Sequence, residues 1–223
     1  MKVKSIIVSQ PDPNTAKSPY FELAEKYGLK IDFKPFKPCF LFKKSLKMAK
    51  STWAIDPTHS EIGFKVKHMM FTTISGKFSK FDATIESEDT DFENAKIEFT
   101  GAIDSISTGN ADRDTHLLSP DFFDAAQFPE IKFTATSFTK INEGEYELVG
   151  DLTMHGVTKS VKLPAEFSGL MKDPWGNTKL AFSLDGKINR KDWGLTWNSA
   201  LETGGVLVGE EVRLNIELQF IKL

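Results

Sequence analysis

The stretch Ser60-Glu61-Ile62-Gly63-Phe64-Lys65-Val66-Lys67-His68-Met69 alternates apolar and polar residues with a period of two. One face carries Ile62, Phe64, Val66 and His68, and the other face carries Glu61, Lys65 and Lys67. This alternation predicts a strand with one dry face and one wet face. Ten residues span about 33 Å, which is long for a strand and favours a tall, closed or nearly closed antiparallel sheet.

The same alternation recurs from residue 52 to the end of the chain, in segments separated by turn signals. The alternating segments are residues 72–86, 95–107, 131–141, 145–154, 161–171, 179–188 and 208–220. Residues 142–144, 155–156 and 173–177 have compositions typical of hairpin turns. The even spacing breaks between Phe78 and Phe81, which predicts a bulge near Ser79.

One segment departs from the strand pattern. Residues 110–118 carry a capping residue, Asn110, followed by early acidic residues, which predicts a helical turn or two. Ser119 then predicts a second short helix over the following residues, which include Phe122 and Phe123. Long connections of this kind often cover one end of a barrel.

Length and composition narrow the class of protein. A chain of 223 residues allows one β-barrel domain plus something small, or a single larger domain. The net charge of −3, without a face rich in Lys and Arg, argues against a nucleic-acid-binding protein. The 19 phenylalanines against 3 tyrosines suit either a bulky core or an apolar cavity lining. The single Cys39 excludes an internal disulfide and a Cys-based metal cluster.

The sequence also bears on location. Residues 1–11 lack the unbroken apolar run of about 7–15 residues that a signal peptide needs. No stretch approaches the roughly 18 apolar residues of a membrane-spanning helix. We therefore expect a cytoplasmic protein without a transmembrane segment.

Residues 1–36 read as a small β-α-β fragment. A short strand precedes a helix that is capped by Ser18, starts at Pro19 and stops at Gly28, and a second strand follows. Residues 2–11, 18–21 and 30–36 resemble the start of a uroporphyrinogen-III synthase; the remainder of such an enzyme is missing, so no synthase activity is expected. We interpret residues 1–47 as this fragment plus a junction, a fused or misannotated leader, and residues 48–223 as the second domain.

The titratable residues offer no catalytic constellation. None of the four histidines has the spacing of a zinc site, and a Gly-x-Ser-x-Gly elbow and a phosphate-binding Gly-rich loop are absent from the sequence. Asp112, Asp114 and His116 alternate, as cation ligands do, although a charge-balanced helix start explains them equally well. We therefore expect no metal and no cofactor.

Three further residues carry open alternatives. His68 ends the apolar row of its strand, where it could contact a ligand head group at a cavity mouth or lie in the core with one backbone hydrogen bond. Arg113 and Arg190 could form ion pairs with the nearby Asp114 and Asp192, or bind a phosphate through the guanidinium fork.

From about residue 52 onward the chain resembles the YceI-like family of lipocalin-like, polyisoprenoid-binding proteins. The motifs that carry the resemblance are residues 53–68, 75–81, 113–117, 121–124, 128–133, 150–159 and 189–195. The last of these fits the family's Arg-x-Asp-aromatic-Gly pattern. The resemblance implies an extended eight-stranded antiparallel barrel whose long pore takes an isoprenoid or another long-chain lipid; many members are periplasmic.

We therefore predict a mainly β protein, a lipocalin-like barrel with a short helical excursion, that carries or sequesters a lipid without catalysis. The predicted lipid-binding residues are Ile62, Phe64, Val66, His68, Phe99, Ile103, Phe122, Phe123, Phe133, Leu148, Met154, Phe167 and Phe182, with His68 at the head group and Phe122 and Phe123 as a lid. The expected partner is the lipid, with a homodimer as a candidate assembly and no nucleic acid. Two alternatives stay open, an enzyme acting on a small amphiphile and a structural barrel filled by its own side chains.

Overall fold

The computed structural model describes residues 5–8, 19–28, 30–33, 50–88, 91–199 and 206–223. The chain divides into two compact units, Met1–Met48 and Ala49–Leu223. The first unit contains β1 (Ser5–Val8), α1 (Pro19–Tyr27) and β2 (Lys30–Phe33), and β1 pairs with β2 in parallel. It thus has the β-α-β order that the sequence predicts.

The second unit is an antiparallel β-barrel. Its elements are β3 (Lys50–Ile55), β4 (Glu61–His68), β5 (Thr72–Phe78), β6 (Phe81–Glu88), β7 (Asp91–Ala102), β8 (Ile106–Ser107), α2 (Ala111–Leu118), β9 (Glu130–Asn142), β10 (Glu145–Met154), β11 (Val157–Lys172), β12 (Thr178–Asn189) and β13 (Val208–Lys222). The strands occupy eight positions, because β3 with β4, β5 with β6 and β7 with β8 each share one position around the barrel. The predicted eight-stranded antiparallel barrel is confirmed.

The last strand closes the barrel. On one side β13 pairs with β12, from Lys179↔Ile221 to Asn189↔Glu211. On the other side it pairs with β4, which lies within the alternating stretch from Ser60 to Met69, and with β3 near its own end. Closure gives every position two hydrogen-bonded neighbours, so the alternating apolar residues of each strand face a common interior.

The two ends of the barrel differ. One end, called here the α2 end, carries the β4–β5 turn, the segment with α2, the β10–β11 turn and the 3-10 turn Arg190–Trp193. The other end, called here the hairpin end, carries the β9–β10 and β11–β12 turns, both predicted from sequence. Within the described residues, no helix has the length and apolar character that crossing a bilayer requires.

The irregularity predicted near Ser79 is a paired bend. Between β5 and β6 the strand is interrupted at Ser79 and Lys80, where the neighbouring strand is interrupted by a 3-10 turn at Ile103–Ser105. The Ser79 N–H donates to the Ser105 carbonyl at 3.2 Å, so the two interruptions are bonded to each other. Both strands therefore bend together without opening the sheet.

The segment after β8 confirms one predicted helix and corrects the other. The Asn110 side chain caps α2 by accepting from the Arg113 N–H at 2.9 Å. The second helix predicted at Ser119 is wrong, because the N–H groups of Phe122 and Asp124 both donate to the Ser119 carbonyl, at 3.0 and 2.9 Å. Asp124 adopts a φ of 46°, in the left-handed region that ends a helix.

Candidate functional site

Aromatic side chains fill the hairpin end of the barrel. The ring of Phe182 lies 5.2 Å from that of Phe167 and 5.6 Å from those of Phe92 and Phe138, measured between centroids. We call the whole group the aromatic plug; it consists of Trp53, Phe92, Phe138, Tyr146, Phe167 and Phe182. Rings at these separations pack tightly, so this end of the interior is solid.

Beyond the aromatic plug the barrel is hollow. An internal cavity of about 220 Å³ extends toward the α2 end, and its wall presents only apolar surface. Among the described residues that line it, Arg190 is the one that carries a charge. The interior is therefore divided along the barrel axis into a packed part and an apolar cavity.

Most of the residues predicted to bind lipid lie on this cavity. Nine of the thirteen line it: Ile62, Phe64, Val66, Phe99, Phe122, Phe123, Phe133, Leu148 and Met154. Ile103, Phe167, Phe182 and His68 do not line it. That the nine contact a ligand stays a prediction.

Each of the four exceptions has a physical reason. Ile103 is only 1% exposed and lies in the 3-10 turn, where strand alternation no longer assigns a face. Phe167 and Phe182 face the interior but belong to the aromatic plug, because alternation assigns a face and not a height along the barrel. His68 ends β4, where it pairs in register with Val208, and lies beyond the lining.

Several lining residues were absent from the predicted set. They are Phe78, Ala83, Ile97, Gly101, Leu117, Ile131, Leu152, Val161, Leu163, Leu184, Ile188, Arg190, Leu195 and, along β13, Val208, Val212, Leu214, Ile216, Leu218 and Phe220. The β13 residues follow the same period-two alternation as β4, which is the signal that identifies them. Leu117 and Leu195 lie outside the strands and carry no such signal.

Two glycines make room for rings that lie against the wall. A Cβ atom on Gly76 would lie 2.4 Å from the Cζ atom of Phe64, its partner on the adjacent strand. A Cβ atom on Gly150 would lie 2.3 Å from the Cζ atom of Phe133. Because glycine has no side chain, both rings lie flat on the neighbouring strand, which leaves the centre of the barrel open.

The segment containing α2 covers the cavity at its end. Leu117, Phe122, Phe123 and Leu195 line the cavity there, and Phe122 is buried. The ring of His116 lies 5.0 Å from that of Phe122 and 4.8 Å from that of Trp197. These residues form an aromatic cover over the α2 end, which is where Phe122 and Phe123 were predicted to act as a lid.

Arg190 is held by backbone carbonyls. It is only 4% exposed, and its guanidinium donates to the carbonyls of Gly209 at 2.9 Å, Val208 at 3.4 Å and Leu195. Burial lowers the pKa of Arg190 from its usual value, partly offset by the charge of Glu210. The guanidinium therefore ties the end of β12 to the start of β13.

The ion pairs predicted for the two arginines are wrong. Within the described residues, Arg190 makes no salt bridge to Asp192, and its donors reach carbonyls instead. Arg113 donates to the side chain and carbonyl of Thr108, at 2.7 and 2.9 Å, while Asp114 accepts from the Thr108 N–H at 2.8 Å. Arg113 and Asp114 thus both bind Thr108 and fix α2 to the strand before it.

The candidate cation ligands point to different partners. His116 contacts Asp121, with 2.9 Å between Nε2 and Oδ2, and Asp114 binds Thr108. In the part of the chain that the structure describes, no three His, Cys, Asp or Glu side chains come together in a group able to hold a metal ion. The chemistry that the cavity offers is the burial of an apolar chain.

The matches to known families and proteins cover the barrel unit. The profile of the YceI-like domain matches residues 53–220. A UPF0312 protein of Staphylococcus aureus (strain N315) is 37% identical over 171 residues, which cover 76% of this chain and 97% of that protein. The resemblance of residues 1–36 to uroporphyrinogen-III synthase is not shown by these matches and stays a prediction.

Solved structures show the same fold. A Campylobacter jejuni YCEI protein is 34% identical, with a TM-score of 0.60, over 74% of this chain and 95% of that one. Burkholderia cenocepacia BcnA is 20% identical, with a TM-score of 0.65, over 74% and 98%. A polyisoprenoid binding domain from Saccharophagus degradans is 13% identical, with a TM-score of 0.54, over 76% and 97%. The last two establish likeness of fold alone.

Proposed function

Since the chain belongs to the YceI-like domain family, we propose that its barrel binds a long-chain lipid, most naturally a polyisoprenoid, and carries or sequesters it. The observation that carries this proposal is the apolar cavity of about 220 Å³ inside a closed barrel. A barrel with a merely structural role would fill its centre with side chains, as the aromatic plug does at one end only. The name of the Saccharophagus degradans domain supports the choice of ligand class.

The energetics suit a long apolar chain. Burial of each CH₂ group contributes about 0.8 kcal/mol before other costs. Each heavy atom that is buried retains about 0.3 kcal/mol after ordering and desolvation, so the affinity grows with the length of chain inside the cavity. One methylene more or less changes the affinity little, so we expect broad selectivity for chain length.

The two ends of the cavity give the ligand a direction. The apolar tail lies toward the aromatic plug, and the polar head lies at the α2 end, where His68 and the aromatic cover are close to water. The only charged residue of the lining, Arg190, already donates to three carbonyls, so the described cavity wall offers no free acid or base for chemistry. We therefore propose binding without catalysis.

Native mass spectrometry of the purified protein tests this proposal. We expect a co-purifying mass of several hundred daltons, which chloroform extraction removes and added polyisoprenoid restores. Leu214→Trp, on the cavity wall beside Phe64 of the adjacent strand, should abolish the bound mass, because the indole fills the space that the chain occupies. Arg213→Trp places the same side chain one position away, on the exposed outer face, and should leave the bound mass unchanged.

Two outcomes would contradict the proposal. If the purified protein neither carries nor takes up a lipid, the cavity is not a lipid site. If His68→Ala abolishes turnover of a small amphiphile while binding is retained, the barrel is an enzyme instead of a carrier.

A further inference from the structure

The turn between β4 and β5 exposes three consecutive large apolar side chains. Met69, Met70 and Phe71 are 49%, 66% and 87% exposed. We call these three residues the apolar tip. Exposing such a contiguous apolar group to water is unfavourable, and exposed apolar patches commonly mark surfaces that contact a partner.

Local structure does not explain the apolar tip. The Phe71 N–H donates to the His68 carbonyl at 3.1 Å, which closes a tight turn. Its central residues, Met69 and Met70, have φ values of 51° and 59°, in the left-handed region that Gly and Asn occupy far more readily. The two methionines therefore strain the turn and gain no burial in return, so neither folding nor packing accounts for them.

The hairpin that carries the apolar tip is basic. Residues 62–81 contain Lys65, Lys67, Lys77 and Lys80 and no Asp or Glu. Lys77 and Lys80 pair with carboxylates outside this segment. The exposed Lys65 and Lys67, nearest the apolar tip, form no salt bridge within the described residues.

The acidic side chains that share a groove with Lys65 and Lys67 are each paired with another basic residue. Across an outer groove from Lys65 and Lys67 lie Glu210 and Glu211. Glu210 is paired with Lys191, and Glu211 with Lys187 and Arg213. An exposed apolar group flanked by unpaired lysines is the arrangement that suits the interface of an anionic lipid bilayer.

The apolar tip lies at the α2 end of the barrel. The Met69 N–H donates to the Leu207 carbonyl at 2.7 Å, next to Val208, which lines the cavity. Val66, three residues before Met69, lines the cavity as well. A surface that binds this tip therefore faces the α2 end of the barrel, where the aromatic cover lies over the cavity.

We propose that Met69, Met70 and Phe71 insert into the interfacial layer of a lipid bilayer while Lys65 and Lys67 contact its anionic head groups. Docking presents the α2 end of the cavity to the membrane, where long-chain lipids reside. The inference rests on the proposed function only for the identity of the lipid that is exchanged with the membrane. Docking itself does not require a bound lipid.

Vesicle flotation of the full chain tests the docking. The probes are phosphatidylcholine vesicles with and without phosphatidylglycerol. In the triple variant Met69→Asn, Met70→Gly and Phe71→Ser, affinity for both vesicles should fall about tenfold or more, because apolar area is no longer buried. Asn-Gly is the preferred pair for a turn of this conformation, so thermal stability should be unchanged or higher.

Two further variants separate the contributions. Lys65→Gln with Lys67→Gln should weaken binding to the vesicles that contain phosphatidylglycerol and leave binding to pure phosphatidylcholine unchanged. Trp175→Ser removes an 83% exposed apolar side chain at the hairpin end and is the matched control; its vesicle affinity should stay within about twofold of the parent.

The docking proposal is overturned if the parent chain does not float with either vesicle, or if Trp175→Ser loses as much affinity as the triple variant. It is also overturned if the triple variant floats normally but loses self-association in size-exclusion chromatography, since the apolar tip would then be a contact between protein copies. Lipid content by native mass spectrometry should be unaffected in all these variants. Loss of lipid in the Leu214→Trp variant reports on the proposed function separately.

Discussion

Single residues set how wide the cavity is. Phe64 and Phe133 lie against glycines of neighbouring strands, and larger residues there would push the rings toward the barrel axis. At Gly76 the atoms that crowd a Cβ all belong to side chains, whereas at Gly150 a backbone carbonyl, that of Thr134, lies 2.6 Å away. An added methyl group at position 76 can be accommodated if the Phe64 ring turns. At position 150 it would meet the backbone, which cannot move in the same way.

Gly76→Ala should therefore reduce the free energy of lipid binding by more than it reduces the free energy of unfolding. The displaced Phe64 ring occupies space equivalent to one or two CH₂ groups of the ligand, so we expect about a tenfold loss of affinity. Displacement of a fluorescent polyisoprenoid measures it. Ser75→Ala, the exposed neighbour on the same strand, is the control, and equal affinities for the two variants would contradict the prediction.

A buried carboxylate stabilises the chain where β3 meets β4. Burial raises the pKa of Asp56, but hydrogen bonds from other side chains outweigh this and hold the pKa well below its usual value. These side chains are Thr58, His59, Lys179 and Gln219. Because the carboxylate titrates lower in the folded state, its stabilising effect is present above the unfolded pKa and is lost as the pH falls below about 4.

Asp56→Asn should lower the free energy of unfolding at pH 7 by about 1–3 kcal/mol, the range for a charged hydrogen-bonding group. The difference from the parent should shrink as the pH falls from about 4 toward the folded pKa. Urea denaturation at neutral and at acidic pH measures both. Glu61→Gln, which removes an exposed pair with Lys77, should have little effect at either pH. A loss for Asp56→Asn that does not change with pH would contradict this account.

Residue roles could be predicted from sequence only in part. Alternation places Ile62, Phe64 and Val66 on the inner face of β4, and all three line the cavity. It could not separate Phe182, in the aromatic plug, from Phe133, on the cavity wall, because both point inward. Height along the barrel depends on strand register, which no single strand encodes.

At the scale of elements, α2 is a short, half-buried helix that depends on contacts at its start. None of its residues is buried, and its start is fixed by the Asn110 cap and by the contacts of Arg113 and Asp114 with Thr108. A half-buried helix of only eight residues is marginal without such contacts. We therefore expect the segment over the cavity to open more readily than the strands.

Asn110→Ala should destabilise α2 locally by about 1 kcal/mol, since the cap is lost. Hydrogen exchange within residues 111–118 should speed up about fivefold, and lipid release should accelerate with it, while the melting temperature changes little. Thr115→Ala, at an exposed position of the same helix, raises helix propensity and should slow the exchange. Unchanged exchange in Asn110→Ala would show that the cap does not control opening.

Elements with a regular hydrophobic period or a clear capping residue were predictable from the sequence. Elements that depend on a choice between alternative backbone hydrogen bonds were not. The strands from β4 to β13 and the start of α2 follow from period-two alternation and from Asn110. The turn after Ser119 looks like a helix start, but the left-handed Asp124 and two N–H groups sharing one carbonyl end it at once. A cap residue alone does not decide whether a helix continues.

For the whole molecule, the division of the interior into a packed and a hollow part should limit the length of the lipid that we propose the barrel binds. Phe182 is only 3% exposed and contacts four rings of the aromatic plug. It also belongs to the same apolar cluster as Leu148 and Leu184, which line the cavity. Its ring therefore belongs to the packed part of the interior, beyond the residues that line the cavity.

Phe182→Ala should lower the free energy of unfolding by about 3–5 kcal/mol and extend the cavity toward the hairpin end. We expect the preferred polyisoprenoid to become longer, as measured by competition between chains of different length. Phe182→Leu keeps most of the volume and should leave the preference unchanged at a smaller cost in stability. A length preference that is the same in all three proteins would show that the aromatic plug does not limit the ligand.

The closed barrel as a whole was predictable because long alternating strands need a partner at both edges, and the resemblance to the YceI-like family gave their number. The cavity was not predictable from the sequence, because the same phenylalanines suit a filled core and a cavity lining. The glycines beside Phe64 and Phe133 distinguish the two cases, and that distinction depends on which residues face each other across strands.

Under the proposed function, a tunnel that is solid at one end has a single end through which its lipid enters and leaves. An incoming lipid cannot displace the bound lipid from the closed end, and two lipids cannot pass each other inside the barrel. Exchange must then proceed by complete departure before the next arrival, and the rate at which a labelled chain leaves should be the same however much unlabelled lipid is added.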